Sequence, residues 1–150
     1  MTTKYTTLAA VAAVATTELN ALANDTAALG AAYDNTAGLP LGRFEIVIPE
    51  QGGARDGAAQ VTLLLVPEGT ASTYGDVSTL LTAAHAKAYK VTGDAVVLTL
   101  DAAVTARTLV VDGVRVPHGN FKPGLLNESG QALAATGNII NMSLYGMQDV

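Results

Sequence analysis

The chain predicts an all-β fold, a sandwich or a barrel, and three observations carry that expectation. Strand-length runs rich in Val, Ile, Leu, Thr and Tyr recur along it: AVVLTLD, ARTLVVDGVRVP, NFKPGLLNE and NIINMSLYGM. Side chains of those types fit a pleated, half-buried surface. Gly, Pro, Asn and Asp stand between the runs, where turns need a fixed or a positive φ. One run, GRFEIVIPE, alternates, with Phe44, Ile46 and Ile48 on one face and Arg43, Glu45 and Val47 on the other. That period of two marks a strand with one face in the core.

The elements follow in chain order. Residues 1–16 read as an N-terminal arm. Their apolar run, Leu8 to Ala15, ends in an Ala-Val-Ala resembling a signal-peptidase site. It is short, follows a single Lys, and cannot span a bilayer. The arm is expected to make contacts outside its own domain. TTELNALANDTAALG predicts a short helix capped by Thr16 or Thr17, with Leu19 and Leu22 on one face. AALGAAYDN reads as a small-residue strand ending at Asp34 and Asn35. After GRFEIVI, Pro49 and QGGARDG close the strand with a polar turn. AQVTLLLVPEG is a continuous apolar run, consistent with burial on both faces.

Between Val77 and Ala84 a helical turn competes with loop. The stretch VPHGNFKPGLLNESGQALAATGN (116–138) reads as a hairpin region with turns at PHGN and NESGQ, and Gly137-Asn138 opens the last strand. Gly119 and Gly130 fall at turn positions, and at least one is expected to have positive φ. No repeat and no linker divides the rest, so residues 17–150 form a single domain.

Composition narrows the function. Hydrophobic residues make up 49% and charged residues 14% of 150 positions, too apolar for a disordered chain. Such a composition implies apolar surface that copies or partners cover. The net charge of −5 comes with only eight scattered Lys and Arg, a poor match to nucleic acid, which is bound by clustered cations. Without cysteine, no disulfide framework or thiolate metal site exists. No membrane partner, cofactor or metal is expected.

Catalytic and ligand signals give way to plainer readings. Ser129 with His118 or His85 lacks a Gly-x-Ser-x-Gly elbow, and a Ser beside Gly in a turn ordinarily bonds its own backbone. Neither His has a second ligand at metal spacing. Asp25, Asp56 and Asp76 lie in loops open to calcium, but DGAAQ and DGVRV lack the full Asp-x-Asp-x-Asp-Gly pattern. Sequons at Asn24, Asn127 and Asn141 arise easily in a chain rich in Asn, Thr and Ser, and matter only in a secretory host. QGGARDG lacks the Lys-Ser/Thr of a phosphate loop.

Two blocks carry a resemblance. TTELNALAN leading to ALGAAYDNT, GLPL and RFEIVI, and later VRVPHGNFKPGLLNESGQALAATGN, are similar to a group of small virion proteins of tailed bacteriophages. The matching positions are Thr17 to Ala23, Asp34, Asn35, Pro117, Gly119, Phe121, Lys122, Asn127, Ser129, Gly130, Ala132 to Ala135, Gly137 and Asn138. They cover about a third of the chain. VPEGTASTYGD (66–76) departs from the group's Pro-Ser-x-Asp-Gly-Thr-x-Tyr. The resemblance implies a jelly-roll-like β-sandwich that is a structural part of the particle and not an enzyme. A capsid decoration (cement) protein on the outer head surface, held by the major capsid protein or other virion proteins, fits best. A tail, collar or fibre part that binds host glycans is the alternative, and a secreted bacterial β-domain with a cleaved leader is a third. Self-association as a homotrimer is expected, through the strand Ala27–Ala32 and the final strand Asn138–Tyr145.

Overall fold

The structure, a computed structural model, describes residues 3–6, 10–69, 80–81 and 94–149. It is an all-β sandwich of two antiparallel sheets, one of five strands and one of six. Among the described residues eleven strands run in order: β1 (Thr3–Thr6), β2 (Ala12–Ala15), β3 (Thr26–Leu29), β4 (Tyr33–Asn35), β5 (Leu41–Ile48), β6 (Gln60–Pro67), β7 (Leu80–Leu81), β8 (Asp94–Thr99), β9 (Arg107–Arg115), β10 (Gly119–Glu128) and β11 (Ile139–Asp149). The first sheet is ordered β1-β11-β5-β9, with β2 also on β11. The second is β7-β3-β10-β6-β8, with β4 also on β10.

Alternation in the sequence decides which face turns inward. Phe44, Ile46 and Ile48 of β5 are fully buried, and the register sets Phe44 against Met142 and Ile46 against Ile140 of β11. These meet Val61, Leu63, Leu65, Phe121 and Leu125 of the second sheet in the main core. Each such side chain removed from water contributes roughly 1.5–3 kcal/mol. The continuous run Val61–Val66 is buried throughout, as its composition predicts. Its alternate residues Leu64 and Val66 join Ala27, Leu29 and Leu126 in a second cluster, on the face of the six-stranded sheet turned away from the core.

Four expectations are corrected. The arm is not separate: β2 pairs with β11 at residues 140–142, and Val14 and Ala15 are part of the core. Residues 3–6 pair further along the same strand, from Thr3 against Asp149 to Thr6 against Gly146. From Thr6 to Ala12 the chain advances six positions while its partners on β11, Gly146 to Met142, advance four. An irregularity of two residues therefore separates β1 from β2 along a shared partner. Alternating small and apolar residues there suit an edge strand as well as an arm.

The helix expected after Thr16 shrinks to one 3₁₀ turn, Thr17–Leu19. Ala21 and Asp25 take positive φ, 54° and 57°, which no right-handed helix admits. Asn24 instead spends its side-chain oxygen on the Gly130 N–H, at 2.8 Å. Here the short polar side chains compete successfully with the helix for backbone groups. The small-residue strand is two strands, β3 and β4, on the same neighbour β10. Between them Gly30 passes so close to Val14 O that an added Cβ would lie 2.0 Å away. Where a helical turn competed with loop between Val77 and Ala84, Leu80 and Leu81 form β7 against β3; the remainder lies outside the described residues.

The stretch 116–138 is not a hairpin. Its PHGN turn carries the chain from β9 in one sheet to β10 in the other, and NESGQ and the following residues carry it back to β11. The turn glycines behave as read, with Gly119 and Gly130 both at φ +82°. In the segment Ala27–Ala32, Ala27 and Ala28 are buried between β10 and β7, while Ala31 and Ala32 are exposed.

Two measurements check this account. Removing residues 1–9 is expected to change unfolding free energy by no more than about 1 kcal/mol, whereas removal through Thr16 loses on the order of 3 kcal/mol with Val14 and the β2 ladder. Equal denaturant midpoints for the two truncations would contradict the placement of β2. At the crossing turn, Gly119→Val should cost about 1–2 kcal/mol, since a β-branched residue is strained at positive φ. His118→Ala, an exposed neighbour, should melt with the parent.

Candidate interaction surface

Every buried polar group near the sequence-weighed catalytic residues is engaged in holding loops. At one end of the sandwich Arg55, whose side chain is 0% exposed, donates through Nε to Gln51 Oε1. Its Nη1 reaches Ala103 O at 2.7 Å and Asp101 Oδ1 at 3.3 Å, and Nη2 reaches Thr105 O at 3.0 Å. The planar guanidinium thus satisfies several carbonyls of the β8–β9 loop at once, a geometry Lys cannot copy. Gln51 passes the connection on, donating to Ala132 O at 3.0 Å and to Ser129 Oγ at 3.3 Å.

Ser129 is fully buried, and its hydroxyl donates to Gln131 O at 3.0 Å. His118 is exposed and precedes the opposite end of β10, a ten-residue strand, so roughly 30 Å separates the two. No Ser129–His118 pair exists. His85 and Asp76 lie outside the described residues. Asp25 and Asp56 are exposed beside the Asn127–Gly130 turn, where Asp25 N donates to Asn127 O and Asp56 N to Ser129 O. Among the described residues no group of three or more His, Asp or Glu gathers as a metal site.

The three sequons differ in environment. Asn127 is fully buried, its amide donating to Gln131 O at 2.7 Å and Leu22 O at 3.0 Å, so its nitrogen is inaccessible to a glycosyl donor. Asn24 is half-buried, and Asn141 lies on the outer face of the five-stranded sheet.

That outer face brings polar and apolar side chains of three strands together. Arg43, Glu45 and Val47 of β5 stand beside Ser143, Asn141 and Ile139 of β11, residue opposite residue. Val110 of β9 pairs across from Glu45 and is 49% exposed. Asn141 Nδ2 donates to Glu45 Oε1 at 3.1 Å. Near the sheet's far corner β9 carries one extra residue, Asp112-Gly113 facing β5 where the register shifts between Gly42 and Phe44. Tyr145 clamps this bulge. Its hydroxyl donates to Asp112 Oδ1 at 2.6 Å and accepts from Gly113 N at 3.0 Å. The Tyr145 hydroxyl, then the Gly113 N–H and the nearby Arg43 charge, hold the Asp112 carboxyl below the usual range, against a smaller opposing effect of burial.

The strand Asn138–Tyr145 contributes to this face in part only. It is central, flanked by β2 and β5, and shows alternate residues outward. Sequence reasoning missed Arg55, Gln51 and the Tyr145 clamp, because apart from the Arg55–Gln51 bond their partners lie dozens of positions away. The outward alternation of Arg43 with Glu45 was visible, but its match to Asn141 and Ser143 required the register.

No family model, curated protein or solved structure matches this chain.

The Arg55–Asp101 anchor gives an acid-stability prediction. Arg107 binds the Asp101 carboxylate directly and, with a smaller contribution from Arg55, lowers its pKa from 3.8, desolvation opposing. A depressed folded-state pKa stabilises above the unfolded value and is lost as pH falls through the folded one. Thermal melting should therefore drop on acidification below about pH 4, and Asp101→Asn should flatten that dependence. Arg55→Ala, which removes the donor to the buried Gln51 and to two loop carbonyls, should cost about 2–4 kcal/mol at neutral pH, with little recovery in Arg55→Lys. Parent-like melting of both Arg55 variants would remove the anchor from the account.

Proposed function

We propose that this chain is a structural protein of a tailed-bacteriophage particle: a jelly-roll-like decoration (cement) protein on the outer surface of the head. It binds the major capsid protein in many copies and self-associates as a homotrimer. The resemblance of its two sequence blocks supports the particle. The observation that supports attachment is the ribbon made by β1 and the end of β11.

Strand β11 makes its last pairing with β5 at Tyr145 and Leu41. It continues from Gly146 to Asp149 with β1 on one side and, among the described residues, no strand on the other. Unpaired N–H and C=O groups along such an edge are a ready template for a strand of another chain. The edge runs roughly 13 Å past the last β5 pairing. The neighbouring outer face adds Val11, 72% exposed, and Val110, apolar surface of the kind that protein partners cover.

On this reading the mechanism is interface energetics. Each copy gains stability from its neighbours by mass action, and many modest contacts repeated by symmetry resist outward pressure on the shell through avidity. Light scattering on purified protein is expected to return three times the 15.2 kDa chain mass. Quantitative mass spectrometry of particles should give a copy number that scales with shell area. Loss of residues 1–9 should abolish rebinding to stripped heads while the domain still melts normally. A persistent monomer present in only a few copies per particle would overturn the head assignment and point to the tail.

A further inference from the structure

We propose that the outer face of the five-stranded sheet carries a binding subsite for one ring of a neutral polyhydroxylated ligand, a sugar. The site is a shallow depression of about 230 Å³ lined by Val11, Arg43, Glu45, Asn141 and Ser143. It is smaller than the roughly 300–1,000 Å³ of pockets for drug-sized molecules and has room for a single ring.

Its chemistry is unsaturated in a particular way. Ser143, only 4% exposed, lies on the lining of the depression. Across the register Arg43 stands opposite Ser143 with no ion pair among the described residues. Asn141 gives its amide N–H to Glu45 Oε1, which leaves Asn141 Oδ1 and Glu45 Oε2 as acceptors. Free donors on Arg43, free acceptors on Asn141 and Glu45, and a hydroxyl able to do either thus share one small space. A carboxylate ligand would meet two acceptors, and an ammonium would meet Arg43. A pair of adjacent hydroxyls, each donating and accepting, satisfies the whole set. Val11 supplies an apolar wall for the C–H face of the ring.

Among the described residues no aromatic ring lines this depression, so affinity rests on hydrogen bonds and is weak. A Kd on the order of 1–10 mM is expected for a monosaccharide. The site does not depend on the particle reading, and a protein partner covering Val11 and Val110 would close it to a sugar.

The test is a backbone-amide NMR titration of the full chain with glucose, galactose, mannose and N-acetylglucosamine, each taken separately. At least one should produce saturable shifts at Arg43, Glu45, Asn141 and Ser143. Arg43→Ala, an exposed position whose loss leaves the fold intact, should weaken binding about tenfold. Ser143→Ala should do the same, its spectrum reporting whether it is folded, and Thr108→Ala on the same sheet should leave binding unchanged. The proposal is overturned if no sugar gives saturable shifts, or if acetate or methylammonium gives the same shifts as the sugars. It is equally overturned if these amides move with protein concentration alone, which would mark a contact between copies, or if Arg43→Ala binds as the parent does.

Discussion

Three buried asparagines hold the places where the chain leaves one sheet for the other. Asn35, Asn127 and Asn138 are each at most 1% exposed, and each gives both amide hydrogens to oxygens of loops. Asn35 ties Leu39 O and Pro117 O, at 3.0 and 2.8 Å, and accepts from Leu39 N at 3.0 Å. Asn127 joins Leu22 to Gln131, and Asn138 joins Asn20 to Ala134, the last at 2.7 Å. A loop that crosses between sheets has backbone groups no ladder can satisfy, and burying them unpaired costs about 1–3 kcal/mol each. The primary amide is suited to this task because it donates twice and accepts at the same point. Substitution by Leu or Ala at any of the three would strand carbonyls as well as leave a void.

The asparagines and the Arg55 anchor divide labour between the two ends. The end with Asn127, Asn138, Gln51 and Arg55 gathers the loops that open β6, β9 and β11. At the other end Asn35 ties the PHGN turn to the loop before β5. Between them the core is built almost wholly of aliphatic side chains, with Phe44 and Phe121 the aromatic contributors. Two buried polar atoms, Thr62 Oγ1 and Asn138 Oδ1, have no hydrogen-bond partner among the described residues. Thr62 lies opposite Leu126 on the face of the second cluster, and the structure gives no physical reason for a hydroxyl there.

Legibility in the sequence followed the range of the physics. Alternation in GRFEIVI and the unbroken run of β6 report burial face by face, so those strands could be read directly. The turn glycines reported a local backbone requirement and were equally plain. What failed was anything decided by a distant partner. Residues 12–15 looked like an arm because nothing nearby shows that β11 accepts them. The stretch after Thr16 looked helical because the Asn24 bond to Gly130 lies 106 positions away. The stretch 116–138 looked like a hairpin because turn chemistry is the same whether a strand folds back beside its neighbour or crosses to the opposite layer. The candidate subsite was illegible for the same reason: Arg43 and Ser143 become neighbours only through the β5–β11 register.

The clamped bulge on β9 bears on how copies of this molecule can grow into larger objects. An added residue twists an edge and breaks its regular ladder, and the Tyr145 hydroxyl fixes that distortion in place. The five-stranded sheet is thus roughened along its β9 border. A strand added there would have to match an irregular ladder, so the bulge disfavours growth from that border.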